Sequence, residues 1–175
     1  MQDCIFCKIA NGHLPAKIIY DSPEIMAFLD IKPANPGHIL IIPKEHYQFI
    51  FQMPQDLNTK IMELIKILSK AQIENLGAQG VNILQNNGAI AGQLIPHLHF
   101  HIIPRFKDDK IIFHWEPSEL KEEQFVEIQR RLIETAKNLV SQNTPQNFSA
   151  PEVKKETEGE APKPKKVIKL RPRHA

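Results

Sequence analysis

Three histidines at every second position are the residues of this chain best placed to do chemistry. His97, His99 and His101 alternate with Leu98, Phe100 and Ile102 in the stretch Gln93 to Arg105. A strand turns alternate side chains to opposite faces, so one face collects three imidazoles and the other an apolar wall. Neighbours on such a face stand roughly 6.6 to 7 Å apart, so all three rings can address one small ligand or one ion. Imidazole, with an ordinary pKa of about 6.5, is largely uncharged at neutral pH and can attack phosphorus and then leave again. Neighbouring rings can orient the attacking one and donate hydrogen bonds to phosphate oxygens. His-x-His pairs are equally common metal ligands, and three on one face can hold zinc or iron with an open position. One such histidine would pass as a satisfied core residue; three in alternation fit that poorly. On residue types alone, phosphate chemistry and a catalytic metal both stay open.

The second chemical feature is Cys4-x-x-Cys7, which holds the chain's two cysteines. A single closely spaced pair cannot staple a fold of this size, so in a reducing compartment it reads as metal or redox chemistry. A redox dithiol ordinarily sits in a thioredoxin-like βαβ unit, and no such pattern surrounds this one.

The elements that must position these groups follow from turn residues and apolar periods. Asp3 to Asn11 reads as a short turn or helix ended by Gly12. Three β-type runs come next, Lys17 to Tyr20, Ile25 to Leu29 and His38 to Ile42, separated by Pro-, Gly- and Asn-rich turns. Connections this short predict an antiparallel meander. Leu57 to Leu76 is the clearest helix. Leu57, Ile61, Leu64, Leu68 and Ala71 paint one face, and Gly77 sits where a C-cap belongs. Its expected role is to cover the sheet. A fourth strand is predicted at Val81 to Gln85, then a polar loop from Asn86 to Gly92, then the histidine strand. A second helix is predicted to begin at Ser118, with Glu119, Glu122 and Glu123 in its first turn and Phe125, Ile128, Leu132, Ala136 and Leu139 as its apolar stripe. The expected class is α+β: an antiparallel five-stranded sheet with one covering helix and a C-terminal helix.

At 175 residues the chain is long enough to bury a real core. One domain over residues 1–140 is expected, followed by a disordered, basic, Pro/Lys/Glu-rich tail over 141–175. Residues 151–175 hold eight Lys or Arg against four Glu, which leaves 14 basic against 16 acidic residues of the chain's 22 and 20 for the body. The net charge of +2 therefore belongs to the tail. Such a tail can contact nucleic acid or another acidic partner, but a solvated end is the plainer expectation. No apolar run approaches the roughly 20 residues of a membrane span. The start has neither a basic region nor an apolar core of a signal peptide, so a cytoplasmic location is expected.

His97-Leu98-His99-Phe100-His101-Ile102-Ile103 resembles the signature of the HIT (histidine triad) family of nucleotide hydrolases and transferases. Similar motifs stand in family order elsewhere: Asp3-x-Ile5-Phe6-x-Lys8-Ile9, Pro15 to Tyr20, Ala27-Phe28-x-Asp30-Ile31, Pro36 to Lys44 with His46, and Asn86 to Gln93. The likeness runs from the start of the chain to about residue 115, and the tail has no counterpart in it. The resemblance implies a HIT-like fold, a homodimer, and cleavage at the α-phosphate of a purine nucleotide conjugate through a nucleotidyl-histidine intermediate. It implies His99 as nucleophile, His101 and Gln93 at the phosphate oxygens and leaving side, and His38 as a fourth histidine bracing the triad. Asp30 matches the acceptor for ribose hydroxyls, Phe6, Ile9, Phe28 and Ile31 the apolar clamp around the base, and Asn86 a polar residue near phosphate and ribose.

The resemblance also extends to metal, because bacterial members carry zinc on positions matching Cys4, Cys7, His46 and His97. Two thiolates and two imidazoles make a closed, structural set. If so, His97 serves the metal and not the phosphate. Branch signals conflict. Leu94 stands where the phosphoramidase branch has a serine, His101 to Arg105 resembles the His-x-x-Pro-Arg ending of the dinucleoside polyphosphate branch, and Phe113 to Pro117 resembles the phosphoramidase branch. The alternative to an enzyme is a purine-nucleotide sensor that binds without turnover.

Overall fold

The computed structural model describes residues 3–143, with side chains to residue 139. Its first compact unit, residues 1–114, holds nearly every group named above. Helix α1 (Ile5–Ala10) precedes strands β1 (Ile18–Asp21), β2 (Ile25–Leu29) and β3 (Ile39–Pro43). Helix α2 (Gln55–Leu76) is followed by β4 (Gly80–Gln85) and β5 (Phe100–Arg105). The strands form one antiparallel sheet in the order β1-β2-β3-β5-β4. The α+β class, the five antiparallel strands and the covering helix are as expected from sequence.

β2 and β3 read as unbroken apolar runs because both of their faces are buried. Ile25, Ala27, Ile39, Ile41, Phe100 and Ile102 face α2, which answers with Leu57, Ile61, Leu64, Ile65 and Leu68. Met26, Phe28, Leu40 and Ile42 face the other way and pack on Phe6 of α1. α2 ends at Gly77, which takes the left-handed conformation (φ 67°) that a glycine adopts without penalty.

Boundaries differ from expectation in places with identifiable causes. β1 and β3 each lie one residue later, and α2 begins at Gln55, directly after Pro54. The largest change is at the histidines. Only Phe100 to Arg105 is strand, so His97 and His99 precede it. β4 stops at Gln85, the register partner of Phe100, and upstream of that pair the Leu98 N–H donates to Tyr47 O at 2.6 Å instead of to β4. Pro96, just before, has no N–H to offer a ladder. The alternation nevertheless persists: Leu98 is in the α2 core with Phe100 and Ile102, and the three histidines point away from it.

The second unit, from Trp115, contains α3 (Glu122–Asn143). The helix does not begin at Ser118. The Gln124 side chain accepts the Lys121 N–H at 2.9 Å while the Lys121 carbonyl accepts from Gln124 and Phe125, so the start is capped at Lys121. Glu122 and Glu123 occupy the first turn, and Glu119 lies outside it. Phe125, Ile128, Leu132 and Leu139 of the stripe are exposed. Most of the tail expected over 141–175 lies outside the described residues.

Candidate functional site

A cleft of about 660 Å³ opens between α1, the end of β2, His99 and His101. Phe6, Ile9, Phe28, Asp30, Ile31, His99 and His101 all line it, so seven residues scattered between positions 6 and 101 meet on one surface. Phe6 and Phe28 are buried and meet edge to face at 5.9 Å, forming the floor; Ile31, at 83% exposure, is at the open rim. Leu14, Pro15 and Ala16 also line the cleft, as do Leu94 and Ile95. Their short connecting segments carry no periodicity that would have marked them.

Ring nitrogens in this cleft have their roles set by their partners. His99 Nδ1 lies 2.7 Å from the His97 carbonyl. A carbonyl only accepts, so Nδ1 carries the proton and Nε2 is left as the lone-pair nitrogen of a ring that lines the cleft. The second chain starts at the backbone. The Ala34 N–H donates to His38 Nδ1 at 3.1 Å, which places the proton of neutral His38 on Nε2. His38 Nε2 meets His101 Nδ1 at 2.9 Å and donates to it, which in turn leaves the His101 proton on Nε2. One histidine thus presents a lone pair and its neighbour an N–H, with ring centroids 4.9 Å apart.

Burial keeps these rings neutral. Desolvation lowers the pKa of His38, His99 and His101, that of His101 to about 4, with the other histidines adding to the shift at His101. Asp30 works against the shift at all three. Its carboxylate accepts the Lys32 N–H at 2.8 Å and stands 3.6 Å from His38 Nδ1. Asp30, His38 and His101 come close together but make a poor metal site, because both His38 nitrogens and His101 Nδ1 are already hydrogen-bonded.

His97 turns elsewhere. Its Nδ1 lies 3.4 Å from Cys4 Sγ and 3.5 Å from Cys7 Sγ, and Cys7 Sγ lies 3.2 Å from His46 Nδ1. The four donor atoms are all within 4.8 Å of one another, the spread of a tetrahedral set around one ion. His97 Nε2 donates to the Pro43 carbonyl at 2.9 Å, which keeps Nδ1 free of its proton and ligand-ready. Burial, reinforced by Cys4, raises the Cys7 thiol to about 11, a cost that a bound cation would offset. The donor set fits zinc. Phe6, between the two cysteines, touches the rings of both His97 and His99, so this cluster adjoins the cleft floor.

Gln93 and Asn86 do not line the cleft. Gln93 is buried, with Oε1 accepting from Gly88 N–H at 2.8 Å and Nε2 donating to Gln48 O at 2.8 Å. It ties the polar loop to the segment before α2. Arg105 also stays within the fold: it pairs bidentately with Asp109, donates to Asn82 and to the Ile111 carbonyl, and lies over the Phe113 ring.

Comparison with known proteins adds to this geometry. The family model described as HIT domain matches residues 11–108. The chain belongs to the HIT domain family. Among its relatives is an uncharacterized HIT-like protein of Methanocaldococcus jannaschii, 48% identical over 108 residues that span 61% of this chain and 81% of the relative. An adenosine 5'-monophosphoramidase of Schizosaccharomyces pombe is 43% identical over 104 residues, 59% of this chain and 75% of that one. A crystal structure of a Zn-bound histidine triad family protein from Mycobacterium smegmatis superposes with a TM-score of 0.60 and 31% identity, over 77% of this chain and 98% of that one. Membership of the HIT family accounts for the sheet order and the histidine arrangement together. Among the described residues no helix is long and apolar enough to cross a membrane.

Proposed function

We propose that this HIT-family chain is a hydrolase of purine nucleotide conjugates, cleaving at the α-phosphate with His99 as nucleophile. The observation that carries the reading is the pair of opposite hydrogen-bond roles side by side in the cleft: lone-pair Nε2 on His99, proton-bearing Nε2 on His101. In the first step the His99 Nε2 lone pair bonds to the α-phosphorus and the bond to the leaving group breaks, its electron pair departing with that group, which for an amine takes up a proton from the surrounding water. His101 donates to a phosphate oxygen as charge develops there. Water then attacks the phosphorus and gives up a proton to solvent, the P–N bond breaks with its electron pair returning to His99 Nε2, and the nucleoside monophosphate is released.

The remaining lining residues suit the rest of such a substrate. Phe6, Phe28, Ile9 and Ile31 offer apolar walls to a base, and Asp30 offers carboxylate oxygens to a ribose diol. Gln93 acts through the loop it anchors and Asn86 through the same loop, where its side chain stands 3.3 Å from the Cβ position of Gly92. A phosphoramidate is the favoured conjugate, since relatives 43% and 40% identical are named adenosine 5'-monophosphoramidases. Leu94, 89% exposed, can neither donate nor accept at the leaving group, so selectivity between amines rests on contacts other than a side-chain hydroxyl.

Zinc on Cys4, Cys7, His46 and His97 would supply a closed, structural cross-link, in keeping with the fit of the donor set and the Zn-bound relative. His97 then has two duties, its ring toward the metal and its carbonyl toward His99 Nδ1. The protein is expected to act as a homodimer in the cytoplasm. The test is AMP release from adenosine 5'-monophosphoramidate and from a dinucleoside polyphosphate by wild type and His99→Ala. Turnover abolished in the variant supports the assignment, and undiminished turnover sinks it. Tight binding without turnover of either compound would favour a sensor.

A further inference from the structure

Gln72 is a polar residue on the wrong side of the sheet for chemistry, yet it grips the backbone beside His38 and His101, the two histidines that hydrogen-bond to each other. It lies on the core face of α2, 2% exposed, among Ile61, Ile65 and Leu68. Its Nε2 donates to the Gly37 carbonyl at 2.8 Å and to the Ile102 carbonyl at 3.1 Å. Gly37 immediately precedes His38 and Ile102 immediately follows His101. The β3–β5 ladder ends at the pair Ile39 and Ile102, so no further rung holds Gly37 to β5. One side-chain NH2 takes the place of that rung. Two acceptors can be met only by the NH2 end, so the amide orientation is settled by its neighbours.

Two further observations bear on the point. Gln72 Oε1 is buried without a hydrogen-bond partner, a cost the fold would avoid with a leucine or methionine of similar size. The donors of this amide, not its bulk, are what the position uses. Gly37 itself has φ +91°, and a Cβ there would stand 2.5 Å from Leu76 Cδ1, so this peptide lies directly against α2. We propose that Gln72 is a positioning residue that sets the His38–His101 contact by clamping Gly37 to Ile102 from the far face of the sheet. Its value for activity rests on the proposed function, whereas the clamp itself does not.

The experiment therefore reads both. In full-length protein with 15N-labelled histidine, the proton shared by His38 Nε2 and His101 Nδ1 gives a downfield, slowly exchanging NMR resonance. Gln72→Met keeps the length and removes both donors. It is expected to lose that resonance, or move it toward that of a free imidazole, and to lower kcat for AMP release by about tenfold with KM changed less than about twofold. Leu64→Ala, on the same buried face of α2, is the control for general loss of stability and leaves the resonance in place. Should Gln72→Met fail to fold, Gln72→Leu likewise removes both donors from this buried position and is expected to give the same spectral loss. A resonance retained at its wild-type position in a Gln72 variant overturns the clamp, and its loss with kcat unchanged overturns the value of the clamp for activity. If wild type turns nothing over, the proposed function fails and the resonance alone still decides the clamp.

Discussion

Replacing His38 by alanine tests the relay most directly. In the wild-type protein His38 Nε2–H donates to His101 Nδ1 at 2.9 Å, and His38 is itself aligned by the Ala34 N–H. Without it, nothing holds the His101 proton on Nε2, and the ring is free to carry it on Nδ1, toward the nearby Asp30 carboxylate. The Nε2 that should donate to a phosphate oxygen then presents a lone pair instead. A hydrogen bond to a charged group is worth about 1.5 to 3 kcal/mol, so the barrier should rise by that amount. At about 1.4 kcal/mol per tenfold this is a loss of roughly 10- to 150-fold in kcat. KM should change little, because His38 does not line the cleft. The assay is AMP release at pH 7.5, read against His99→Ala as the floor. His38→Ala with wild-type kcat, in protein whose fold is confirmed by circular dichroism, would refute this order of protons along Ala34, His38 and His101.

Other predictions concern the metal, the core and pH. Protein purified without chelator should carry about one zinc per chain by elemental analysis, and Cys7→Ser should lose it together with thermal stability; metal that survives Cys7→Ser but is lost in His101→Ala would point to a catalytic metal instead. Ile61→Ala removes a fully buried side chain from the α2 face and should cost about 2 to 5 kcal/mol in denaturant unfolding. For pH the sign follows from burial. His101 is held near 4 in the folded state against about 6.5 unfolded, so the unfolded chain binds the extra proton first. Its contribution to stability is intact above about pH 6.5 and is lost progressively as pH falls toward 4. Chemical denaturation across that window should show the midpoint falling with pH; a midpoint that rises on acidification contradicts the assignment.

Much of the site was legible because its residue types are costly anywhere else. Three alternating histidines, two thiols and an Asp before a Pro-rich turn are conspicuous in one dimension, and they lead to most of the groups that meet at the cleft. The rest depended on backbone atoms, which every residue supplies and no sequence pattern marks. The carbonyls of His97 and Pro43 and the N–H of Ala34 decide what these imidazoles can do. The same holds for Gln72, whose helical position predicts only solvent or core. Arg105 ends the stretch that resembles the dinucleoside polyphosphate branch, and what its position does not reveal is that Asp109, Asn82 and the Ile111 carbonyl take its donors within the fold.

What the sequence determined by itself is the class of fold and the chemistry available. Short apolar runs joined by short turns compel an antiparallel sheet, one apolar helical stripe compels a covering helix, and imidazoles and thiols limit the chemistry to phosphorus and metal. What the tertiary structure decided is how three like histidines differ. Partners come from segments as far as 93 residues away in sequence, and a ring's role is set by which nitrogen those partners leave with the proton.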